Sequence, residues 1–162
     1  MRYENREDLD NEELVRQHLQ KTYSSDFIKL TRERNENKYL FDWVVTDANS
    51  KITKFAEFKT RKTIKHDDFP EGIVISLKKY NKGVEYYNFN NIDFCFVFWF
   101  EDGLFVYNYD PDHKLPVKFF AEGENQEPVV LIPPKLWRKL CPVSDFLKIK
   151  KPFINAVWEE RF

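Results

Sequence analysis

Glycine is scarce in this chain, with four in 162 residues, and no stretch is of low complexity. The shortage excludes a long flexible linker, and no glycine-rich phosphate loop can be assembled from what remains. Cysteine is rarer still. Cys95 sits in a strand-like run and Cys141 precedes a proline. Two thiols so far apart lack the spacing of a zinc site, and both read as buried or partly buried groups of a reducing cytosol. No serine, histidine and aspartate fall in the context of a nucleophilic triad, so a small-molecule enzyme finds little support. The longest apolar run, around Phe94–Phe100, falls well short of the roughly 18 residues a membrane helix needs. The charged opening MRYENREDLDNEE has no signal-peptide pattern, and a cytoplasmic location is expected. An excess of either charge is also missing: the net value of −1 points in bulk to neither nucleic acid nor membrane.

The chain is 42% hydrophobic and 17% aromatic, enough for a sizeable core in one domain spanning residues 1–162. Charge is unevenly spread. Residues 51–82 carry nine basic groups against four acids, and residues 135–151 carry six against Asp145 alone. Local basic regions on a neutral protein can follow a phosphate backbone, although a solvated surface is the plainer reading of any one run.

Read in order, residues 5–23 form an amphipathic helix with Leu14, Val15, His18, Leu19 and Thr22 on its apolar side. Glu12 falls at the edge of that side and Glu13 points further away. Residues 26–32 read as a strand. Residues 38–62, KYLFDWVVTDANSKITKFAEFKTRK, alternate like two strands around the turn Asp-Ala-Asn-Ser. With Ala48–Lys51 as the loop, Asp47 faces Ile52 and Asp42 faces Glu57, so that Asp42, Glu57 and Lys59 share one face. Two carboxylates facing each other in an apolar sheet are costly unless something pairs with them. Lys59 could neutralise one, and a divalent cation could bind both.

His66-Asp67-Asp68 offers metal-ligating side chains, but adjacent residues rarely converge on one ion and a surface loop is the plainer reading. Residues 73–87 are spaced as a helix, with Gly83 weakening it and Lys78, Lys79 and Lys82 on its other side. This crossover leads to a parallel strand at residues 92–100, covered on both faces. A hairpin at Glu101-Asp102-Gly103 returns as residues 104–109. Beyond lie strands at 117–121 and 129–132, a helix opened by Pro133-Pro134 and running to Leu140, and a short helix capped at Ser144-Asp145. Trp137 and Trp158 read as packing residues.

An aspartate followed on the next strand by Glu-x-Lys resembles the PD-(D/E)XK nuclease superfamily, whose fold is restriction-endonuclease-like. The element order over about residues 7–110 is similar to that fold's αβββαβ core with one strand added. The expected class is α+β, a mixed central sheet flanked by helices, with residues 111–162 as a C-terminal extension. Phe41 stands where the superfamily's pattern has a proline. The resemblance implies that Asp42 and Glu57 ligate a metal, completed by the Phe58 carbonyl. It implies that Lys59 orients the attacking water or stabilises charge at the phosphate. A helical glutamate is a frequent third acid in such nucleases, and Glu12 is the candidate. Phage-type members often carry a lysine and an aromatic in the helix after the Glu-x-Lys strand; Lys79-Tyr80 looks similar and makes Lys79 a candidate phosphate contact. Arg61, Lys62, Lys78, Lys79 and Lys82 are the candidates for binding nucleic acid.

The function so implied is that of a Mg²⁺-dependent deoxyribonuclease, with Mn²⁺ able to substitute, acting on DNA in an accessory or structure-selective role in replication, repair or recombination. A homodimer is common among two-strand cutters of this kind, though no residue here argues for one. The alternative is a non-catalytic nucleic-acid-binding or assembly protein that keeps the nuclease fold, with Asp42, Glu57 and Lys59 as a structural ion-pair cluster.

Overall fold

The computed structural model describes residues 6–24, 26–30, 41–119 and 127–147. Its elements run α1 (Arg6–Thr22), β1 (Phe27–Leu30), β2 (Trp43–Thr46), β3 (Ile52–Arg61), β4 (Ile73–Ser76), α2 (Leu77–Asn90), β5 (Asp93–Phe100), β6 (Gly103–Asn108), β7 (Val117–Phe119), β8 (Pro128–Ile132), β9 (Arg138–Cys141) and α3 (Ser144–Leu147). A six-stranded sheet has the order β1-β2-β3-β5-β6-β9, and a three-stranded sheet the order β4-β8-β7. Only β3 and β5 pair in parallel within the larger sheet. A parallel pair needs a crossover, which β4 and α2 supply. No helix of the described residues is long and apolar enough to cross a membrane.

Strand β5, DFCFVFWF, explains the layering. Phe94, Phe96, Phe98 and Phe100 alternate with Cys95, Val97 and Trp99, and all seven are buried. The odd-numbered face packs with Trp43, Ala56 and Phe58 against Leu14, Val15 and Leu19 of α1 and Phe146 of α3. The phenylalanine face packs with Phe55 and Tyr107 against Ile73 and Ile75 of β4, Val130 and Ile132 of β8, and Trp137. The strand is therefore buried on both sides, as its unbroken apolar run predicts.

Three expectations need correction. The β2–β3 turn is one residue tighter than the pattern predicts. Asp47 N–H donates to Lys51 O at 2.9 Å, and Asp47 Oδ1 accepts the Asn49 and Lys51 N–H groups at 2.8 and 3.0 Å. Thr46 thus pairs with Ile52, and a bulge restores Val45↔Lys54 and Trp43↔Ala56. The two shifts cancel, so the pairing nearest the predicted site keeps the expected register. Secondly, the helix expected from Ile73 begins at Leu77. Its first four residues, three of them β-branched, pair with β8, and Ser76 caps the helix by accepting Lys79 N–H at 3.5 Å. Thirdly, the helix expected over 133–140 is a single 3-10 turn at Pro134–Leu136, followed by β9 on the open edge of β6. That edge takes the chain as a strand once the prolines have turned it.

Gly83 weakens α2 as expected, and its position shows why it is there. A Cβ built on it would lie 2.6 Å from Cγ of Phe94, a ring with no exposure. The helix crosses β5 too closely for a methyl group. Gly83→Ala should therefore destabilise the protein by about 1–3 kcal/mol, against the roughly 1 kcal/mol that helix propensity alone would add. Thermal or urea melting of the two chains measures the sign.

Candidate active site

Strand β2 begins only at Trp43, whereas β3 continues past its last pairing with β2, at Ala56. The Phe58 N–H lies two residues beyond that pairing, and a buried amide must be satisfied somehow. Asp42, in the bend before β2 rather than within the strand, accepts it through Oδ2 at 2.9 Å. Its carboxylate is thus held beside Glu57, the residue before Phe58.

Glu57 is 2% exposed, although β5 on one side of it presents only Phe96 at the same level. Its compensation is basic. Lys79, in the first turn of α2, brings Nζ to 2.5 Å from Glu57 Oε1, and Lys59 brings Nζ to 3.2 Å from the same oxygen. The second oxygen, Oε2, is buried with no hydrogen-bond partner among the described residues. Burial and the charge of Glu57 push the Asp42 carboxyl up to about 7, against the opposing pull of the Phe58 amide and the two lysines. Two carboxylates and two ammonium groups thus meet just past the last β2–β3 pairing and midway along the β3–β5 pair, with one carboxylate oxygen unclaimed among the described residues.

This arrangement can hold a divalent cation. Among the described residues Glu57 Oε2 has no hydrogen-bond partner beside the second buried acid, Asp42, and an all-oxygen donor set suits a hard ion such as Mg²⁺ or Mn²⁺. Asp42 and Glu57 are the residues that would hold it.

The other candidate residues fall in different surroundings. Glu12 is 3% exposed and accepts Trp43 Nε1–H at 3.1 Å, beneath the residue that follows Asp42. Among the described residues it does not join Asp42 and Glu57 in a group of three ligand atoms within 4.8 Å of one another. Glu13, expected to point away, is also buried because Arg16 grips it at 2.6 and 2.9 Å while donating to Ile28 O at 2.6 Å. Lys62 turns to the α1 side of the sheet, 4.1 Å above the Trp99 ring and 3.3 Å from Asn11 Oδ1. Arg61 lies on the opposite side, 5.9 Å over the Phe98 ring. Lys82 pairs with Glu85 at 3.1 Å, and Lys78 is exposed. Sequence reasoning missed the indole between Glu12 and the hairpin, since a contact spanning 31 residues leaves no periodic trace.

A mixed sheet with one parallel pair, helices on either side, and Asp, Glu-x-Lys at the end of a hairpin define the PD-(D/E)XK architecture. The family model described as "Phage putative PDDEXK endonuclease" matches residues 1–140, and the chain belongs to that family. No curated protein and no solved structure matches it.

The raised Asp42 carboxyl has a consequence for stability. Unfolded, it loses its proton near pH 4; folded, it keeps the proton until about 7. Between those values the folded state binds more protons, so its contribution to stability falls as pH rises across the interval and is flat above it. In a chelating buffer, Asp42→Asn, which can still accept the Phe58 amide, should raise the melting temperature at pH 8 and leave it nearly unchanged at pH 4. Melting curves at the two pH values check this.

Proposed function

We propose that this chain is a divalent-metal-dependent endonuclease that hydrolyses DNA phosphodiester bonds at Asp42, Glu57, Lys59 and Lys79. The observation that carries the reading is Glu57. It is buried, its Oε1 is shared by two lysines, and its Oε2 has no hydrogen-bond partner among the described residues, beside a second carboxylate.

Asp42 and Glu57 would hold a divalent cation, which would supply Lewis-acid stabilisation of charge on the phosphoryl oxygens and a lowered pKa for water. The chain's own groups do the positioning. Lys59, 41% exposed, is the more accessible of the two ammonium groups; it orients the attacking water and offsets charge at the phosphate. Lys79, 21% exposed, contributes a second positive charge that draws the phosphate into line. Asp42 is fixed by the Phe58 amide and so presents its other oxygen without further ordering. Arg61, one alternation beyond Lys59 on β3, extends the positive track that the DNA backbone would follow.

The same ion pairs also suit the second reading, a binding protein that keeps the cluster for structure, because a buried Glu57 needs Lys79 whether or not chemistry occurs. The test separates them. Linear, single-stranded and branched DNA are incubated with the wild-type chain and with Glu57→Ala and Lys59→Ala, in Mg²⁺ or Mn²⁺. Metal-dependent cleavage should fall at least about 100-fold in both variants, with circular dichroism showing them folded. Absence of cleavage on every substrate in either metal would favour the binding protein.

A further inference from the structure

A second cluster of ligating groups lies outside this site, where the β3–β4 loop meets the turn between β5 and β6. Asp102 grips His66 twice. Its Oδ1 accepts the His66 backbone N–H at 3.0 Å, and its Oδ2 lies 2.5 Å from the ring Nδ1. The ring is fixed flat against Phe105, with centroids 4.2 Å apart and planes 16° apart. Asp67 Oδ1 stands on the same nitrogen at 3.9 Å, and the three ligand atoms lie within 4.8 Å of one another. Asp68, the neighbour suggested by sequence, is turned away to accept Lys65 N–H at 2.7 Å.

We propose that His66, Asp67 and Asp102 bind one first-row divalent cation, of the Zn²⁺ or Mn²⁺ class, which ties the β3–β4 loop to the β5–β6 turn.

Two carboxylates address one imidazole nitrogen, which has at most one proton to offer. Asp102 takes it, and Asp67 is left facing the same atom. Among the described residues no lysine or arginine forms an ion pair with either carboxylate. The cluster therefore carries net negative charge even when His66 is protonated. One imidazole nitrogen with two carboxylate oxygens is a mixed donor set that first-row ions accept better than Mg²⁺ or Ca²⁺ does. Bonds of about 2.0–2.2 Å place neighbouring ligand atoms roughly 3 Å apart. The 2.5 Å pair would open slightly and the 3.9 Å pair would close, both within side-chain reach. Asp67 is 62% exposed, which leaves the ion an entry path and room for water as further ligands.

This centre is distinct from the one at Glu57. Lys59 pairs with Phe98, and Phe98 with Phe105, so Phe105, on which the His66 ring stacks, stands two strands, about 10 Å, from Lys59. That exceeds the separation of a two-metal catalytic pair, and the ion's role is to hold the loop.

The test is calorimetric titration of Zn²⁺ into the full chain carrying Asp42→Asn and Glu57→Gln, which removes the other carboxylate pair and any dependence on nuclease activity. One equivalent should still bind. Adding Asp67→Asn, an exposed change that disturbs no packing, should weaken binding at least about tenfold, and adding His66→Gln should abolish it. The proposal is overturned by the absence of Zn²⁺ uptake in the doubly substituted chain, or by uptake that neither further substitution weakens.

Discussion

An ionised carboxylate in the middle of a sheet costs several kcal/mol unless its charge is met, and Glu57 is such a group. It lies on the central strand β3, between the layer of α1 and α3 and the layer of α2 and the second sheet. The chain meets that cost from two directions. Lys59 arrives from the same strand, and Lys79 arrives through the crossover that makes β3 and β5 parallel. The short strand β4 and the Ser76 cap set where α2 begins, and so decide that its third residue, Lys79, faces Glu57. The packing of α2 in turn depends on Gly83 lying against Phe94. An electrostatic need at Glu57 and a structural need for close helix–sheet contact are thus served by the first turn and the middle of one helix.

Compensation at Glu57 is one-sided. Both lysines share Oε1, while Oε2 has no hydrogen-bond partner among the described residues. A cluster arranged only for stability would be expected to spread its cations over both acids, since each unpaired buried oxygen costs about 1–3 kcal/mol. The asymmetry, together with membership of a nuclease family, is what supports reading the Asp42–Glu57 pair as more than an ordinary buried ion pair.

Much of this was legible in the sequence. Alternation along 38–62 located the hairpin, and opposing acids on it pointed to Asp42 and Glu57 as a pair. The register survived because the tight turn at Asp47 and the bulge beside it offset each other, which no local signal announces. Helical spacing placed Lys79 on the crossover helix, and the unbroken apolar run of β5 told of burial on both faces. What failed did so for lack of local information. Ile73–Ser76 and Arg138–Cys141 become strands only because distant partners, β8 and β6, have edges to fill. Asp102 joins His66 across 36 residues, and a turn residue carries no sign of such a contact. The parts of the sequence reading at 31–40, 120–126 (including the end of the strand expected at 117–121) and 148–162 lie outside the described residues.

The central claim is that Asp42 and Glu57 converge on a divalent cation, and anomalous X-ray scattering from crystals soaked in Mn²⁺ tests it most directly. The account predicts a peak at roughly 2.0–2.4 Å from an oxygen of each carboxylate, with Glu57 Oε2 among the ligands. A map with no peak there, and with both lysines still gathered on Glu57, would contradict it and leave a structural ion-pair cluster.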